Sequence, residues 1–185
     1  MSDTIQREEM HHRRLDLRFY RRSDGLYEVE GTLVDSKSHP FTRLLAPEPT
    51  LPGEPLHDMS LRLVLDESLC VVDAIATMRA TPFSVCRGAT DTVAPLKGLR
   101  IGPGWNQKVR QLLRGAASCT HLLELLGPMA TTALQGMAPQ RLARINLPGQ
   151  EHERLAKVDS CYTYAAHREV VAQLWPELHR KESPA

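Results

Sequence analysis

Apolar and polar positions alternate along four stretches in the first half of the chain, and the period lengthens to that of a helix in the second half. Leu15, Leu17 and Phe19 alternate with Arg14, Asp16, Arg18, Tyr20 and Arg22, which predicts a half-buried strand over 14–22. Ser23-Asp24-Gly25 reads as a turn, after which Tyr27, Val29, Gly31 and Leu33 oppose Glu28, Glu30 and Thr32, so the two strands form an antiparallel hairpin. A second hairpin follows from Met59, Leu61, Leu63 and Leu65 set against Ser60 and Arg62, the turn Asp66-Glu67-Ser68, and the Val- and Ile-rich stretch 69–77. Between the hairpins, 35–56 carries Pro40, Pro47, Pro49, Pro52 and Pro55 with little periodicity and is expected to be a long surface loop.

Beyond the second hairpin, Trp105, Val109, Leu112 and Leu113 recur at helical spacing, with Pro103-Gly104 at the entrance and Gly115 at the close. Leu122, Leu126, Met129, Ala133 and Met137 continue the pattern, and Gly127-Pro128 is expected to kink or split that helix. The tail 160–179 fits either a last helix or an extended piece. Strands first and helices later describe an α+β fold, an antiparallel sheet of two hairpins covered on one face by C-terminal helices. The length of 185 residues fits one domain spanning 1–185, with 1–12 frayed.

Charge and cysteine content narrow the class. Lys and Arg number 23 against 22 Asp and Glu, for a net charge of +1, which argues against a general nucleic-acid binder. Four scattered cysteines and the lack of an apolar N-terminal stretch lead to the expectation of a reduced, cytoplasmic protein. No apolar run approaches the roughly 20 residues of a membrane span.

The chemistry points to Cys119 and His121, which stand just before the run Leu122-Leu123-Glu124-Leu125-Leu126. Thiolate and imidazole hold soft metals and perform nucleophilic chemistry. Residues i and i+2 of a helix point apart, so the two converge only if Cys119 sits in the cap and His121 in the first turn; Ser118 and Thr120 are suitable caps. A thiol there feels the positive end of the helix dipole, which favours thiolate. His57 shares the parity of Met59, Leu61 and Leu63 and so points to the helix-covered face, and Cys86 leaves the last strand for the helical half. Together His57, Cys86, Cys119 and His121 make a tetrahedral set for zinc or iron; with three ligands, a position stays open. Without metal, Cys119 is the candidate nucleophile and His121 or His57 its base. Each residue also has a plain packing role, as a buried small hydrophobe or a hydrogen-bonded core histidine. Arg14, Arg18 and Arg22 share a strand face, and Arg18 and Arg22 are candidate grips for a small anion. His11 and His12, an adjacent pair, precede the first strand.

The stretches Arg21-Arg22-Ser23-Asp24-Gly25-Leu26, Leu56-His57-Asp58-Met59, Leu96-Lys97-Gly98-Leu99-Arg100-Ile101-Gly102-Pro103-Gly104-Trp105 and Cys119-Thr120-His121-Leu122 resemble the bacterial family known as domain of unknown function 2889. That resemblance implies no activity. The run 58–66, followed by Val72-Asp73-Ala74 and Lys97-Gly98, is similar to the core of the iron-sulfur cluster assembly scaffolds. This second resemblance implies a metal or cluster site near His57 and the Cys119-Thr120-His121 region. The expectation is a small cytoplasmic protein with a Cys/His centre, either a metal- or thiol-dependent enzyme acting on a small anionic metabolite or a metal or cluster carrier.

Overall fold

The computed structural model describes residues 5–181. The chain divides into two compact units, Met1–Gly136 and Met137–Ala185. The first unit contains the sheet, β1 (His12–Arg21), β2 (Tyr27–Ser36), β3 (Pro55–Leu65) and β4 (Val71–Ala80), joined as an antiparallel meander in the order β1-β2-β3-β4. Both expected hairpins are present. Gly25 takes φ 86° in the first turn, a conformation open to glycine without steric cost. In the second turn the Asp66 carboxylate accepts from the Ser68 amide, the Ser68 hydroxyl and the Cys70 amide, each at 2.8 Å.

Strand β2 alternates without a break: Tyr27, Val29, Gly31, Leu33 and Asp35 are buried, and the residues between them are half-buried. That inner face is covered by α2 (Thr120–Gly136), which buries Leu122, Leu125, Leu126, Met129, Ala130 and Ala133 against β1 and β2. Two glycines permit the close approach. A Cβ on Gly31 would lie 2.9 Å from Met129 Sδ, and one on Gly136 would overlap the Phe19 ring. Helix α1 (Trp105–Leu113) follows Gly104 and buries Trp105, Val109 and Leu113. The buried Trp105 indole donates to the Leu126 carbonyl at 3.1 Å and so ties α1 to α2. A 3-10 run, Ser84–Leu96, packs along β4.

Several boundaries differ from the sequence expectation. The Pro-rich loop is shorter, because β2 continues to Ser36 and β3 begins at Pro55; residues 35, 36, 55 and 56 belong to strands. The first strand starts at His12 rather than fraying through it, 5–11 are exposed and outside regular structure, and 1–4 lie outside the described residues. Helix α2 runs on through Pro128, with the Thr131 and Thr132 hydroxyls donating to the carbonyls of Gly127 and Pro128 at 3.3 and 3.0 Å.

The second unit holds α3 (Ala138–Ile145), α4 (Glu151–Lys157) and α5 (Glu169–Leu174). Its buried residues include Ile145, Ala166, Val171 and Trp175. The tail 160–179 is thus mixed, with one short helix between two 3-10 turns, Tyr162–Tyr164 and Pro176–Leu178. No described helix is long and apolar enough to cross a membrane.

Candidate metal centre

The register of the sheet sets a row of polar side chains at one end of an otherwise apolar face. Arg13 of β1 pairs with Asp35 of β2, which pairs in turn with His57 of β3. All three have the inward parity of Leu15, Leu33 and Met59. Asp35 is 1% exposed, and a carboxylate so buried needs full partnering. Arg13 donates to its Oδ2 from Nη2 at 2.6 Å and from Nε at 3.2 Å. His57 Nδ1 lies 2.8 Å from Oδ1. Burial alone would push the Asp35 carboxyl up, but the hydrogen bonds and charges of Arg13 and His57 outweigh it and hold the group below its ordinary range.

The fourth member of the row comes from above the sheet. The Cys119 carbonyl accepts from the Leu123 amide at 3.1 Å, so Cys119 is the cap residue of α2, and His121 lies in the first turn. This cap geometry lets residues two apart converge, and Cys119 Sγ lies 3.7 Å from His121 Nδ1. The rings of His121 and His57 are 3.9 Å apart between centroids, tilted by 35°. One ligand atom from each of Asp35, His57 and His121 falls within 4.8 Å of the other two. Arg13 closes the rim, its Nη1 donating to Glu124 at 2.7 Å one turn along α2. The Cys119 thiol is pushed up by partial burial, yet the His121 ring and the Leu122 and His121 amides outweigh that and draw it below its usual value.

Among the described residues, the expected set of His57, Cys86, Cys119 and His121 comes together only in part. His57 and His121 meet, Asp35 completes the group, and Cys119 touches His121 from the side. Cys86 lies in the 3-10 run beside β4, outside the group. Arg18 and Arg22 are also apart from it. Strand alternation puts Arg18 on the opposite face of the sheet, where it pairs with Asp16 at 2.9 Å. Arg22 sits at the far end of the hairpin, paired with Asp24 at 2.7 Å and Glu28 at 3.3 Å.

A family model described as protein of unknown function (DUF2889) matches residues 11–135, and the chain belongs to that family. The match contains every residue of the row, from Arg13 to Glu124. No curated protein and no solved structure matches the chain, so the likeness to iron-sulfur scaffolds gains no support.

Proposed function

We propose that Asp35, His57 and His121 hold one transition-metal ion, zinc or iron, and that this centre acts on a small anionic molecule. The observation that carries the reading is the convergence of two imidazoles and a buried carboxylate, drawn from three separate elements, within 4.8 Å. Two histidines and a carboxylate suit either metal, and three protein ligands leave a position open for water or substrate, as in catalytic rather than structural sites. Such an ion, when bound, polarises a carbonyl or lowers the pKa of a bound water toward about 7.

The surrounding groups support this use. Arg13 holds the Asp35 carboxylate in place through Oδ2, the kind of outer contact that orients a ligand and tunes its basicity. Its remaining Nη1 faces the rim, shared only with the half-exposed Glu124. Arg13 is therefore the guanidinium placed to attract an anion to the centre, a role the sequence assigned to Arg18 and Arg22. The four cysteines are free, in keeping with a reducing, cytoplasmic setting.

Zinc titration of the chelator-treated protein, followed by calorimetry, tests the reading. The full chain is expected to take up about one ion, and Asp35→Ala, His57→Ala and His121→Ala to lose it. Equal uptake by all four proteins, or none by the unmodified chain, would overturn it. A second reading rests on the 3.7 Å contact of Cys119 with His121: a metal-free thiol nucleophile with an imidazole base. An unmodified chain that takes up no zinc but is rapidly alkylated at Cys119, with a loss of that reactivity in His121→Ala, would favour this alternative.

A further inference from the structure

We infer that His11 is a fourth ligand of the same centre, reaching it from the segment that leads into β1. This rests on the three-residue centre proposed above and adds a residue outside that group. His12 pairs with Ser36 and Arg13 with Asp35, so alternation points His12 to the side opposite Arg13, while His11, one residue before the strand, lies on the Asp35 side through its contact with that carboxylate. Of the adjacent histidines, the first is the one in contact with the site.

The distance agrees with that placement. His11 Nε2 lies 3.7 Å from Asp35 Oδ2, beyond the 2.7–3.2 Å of an ordinary N–H···O bond. Both carboxylate oxygens already have closer partners, Oδ1 in His57 and Oδ2 in Arg13. The imidazole therefore stands beside the carboxylate without being fixed to it. Two ligand atoms sharing one tetrahedral zinc sit roughly 3.3 Å apart, given metal–ligand bonds of about 2.0–2.1 Å. The 3.7 Å to Oδ2 sets the His11 ring at the edge of the carboxylate, next to the oxygen that Arg13 holds. His11 is outside the group that already lies within 4.8 Å, so reaching the ion takes a swing of its side chain. Its side chain is 35% exposed and stands outside the strand ladder, which leaves it free to make that swing. A ligand held this loosely fills the fourth position at rest and yields it to an incoming anion.

The test compares zinc affinity and the visible spectrum of the cobalt-loaded full chain for the unmodified protein, His11→Ala and His12→Ala. His11→Ala is expected to weaken zinc binding by roughly tenfold or more and to change the cobalt spectrum, and His12→Ala to alter neither. A His11→Ala protein with unchanged zinc affinity or an unchanged cobalt spectrum would overturn the inference and leave the three-residue centre standing. An unmodified chain that binds neither ion would overturn the centre and this inference together.

Discussion

Asp35 and His57 are partners across β2 and β3, and their side chains meet at 2.8 Å on the face that α2 covers. That separation is a hydrogen bond, and the two atoms need open by only about half an ångström to sit as neighbouring ligands on one tetrahedral ion. The pair is therefore organised by the sheet before anything binds, with Arg13 fixing it from β1. Replacing Asp35 by Ala leaves Arg13 and His57 without their buried acceptor. Because Arg13 is 32% exposed and can turn to water, the cost should be about 1–3 kcal/mol rather than that of a fully buried pair. Urea unfolding in the presence of chelator measures it.

Cys119 and His121 should separate in their effects on metal. His121 belongs to the converging group, whereas Cys119 is outside it and meets the His121 ring at Nδ1. We expect Cys119→Ser to weaken zinc binding by no more than the roughly 10–100-fold typical of outer contacts, and His121→Ala to abolish it. Calorimetric titration of the two variants distinguishes them.

Gly136 tests the packing that carries His121 to the sheet. Alanine normally gains about 1 kcal/mol over glycine inside a helix. Here its Cβ would overlap the Phe19 ring, an overpacking that costs about 1–3 kcal/mol. The clash is expected to win, so Gly136→Ala should lower the urea midpoint, and the added substitution Phe19→Leu should recover part of the loss.

Much of this arrangement is legible in the sequence, and the omissions have physical causes. Period-2 alternation locates both hairpins and gives His57 its inward parity. The spacing of Cys119 and His121 at a helix start predicts their contact. Asp35 escapes because a charged residue at an inward position reads as the end of a strand; its parity with Val29, Gly31 and Leu33 was the available signal. Arg13 escapes for the same reason, one position before the apolar alternation of β1 begins. Cys86 is a candidate by residue type alone, and no periodicity tells where a 3-10 run will carry it. Arg18 is exposed and Arg22 half-buried, and nearby acidic residues meet their charges.

Asp66 gives the fold a pH dependence away from the candidate centre. Burial raises its carboxyl, but the Cys70 amide, the Ser68 hydroxyl and amide, and the charge of Arg100 outweigh this and hold it below the usual range. A carboxyl depressed in the folded state adds stability above its unfolded pKa of about 3.9 and loses it as pH falls through the lower folded value. Asp66→Ala should therefore cost about 1–2 kcal/mol at neutral pH. The gap between variant and unmodified chain should close as the pH is taken below about 4. Urea midpoints from neutral pH downward check this; a gap that persists in acid would contradict it.

Anomalous diffraction at the zinc edge, from crystals of the full chain grown with zinc, tests the central proposal most directly. We expect one peak within about 2.0–2.2 Å of a carboxylate oxygen of Asp35 and of one ring nitrogen each of His57 and His121. A peak elsewhere, or none while His57 keeps its bond to Asp35, would contradict it.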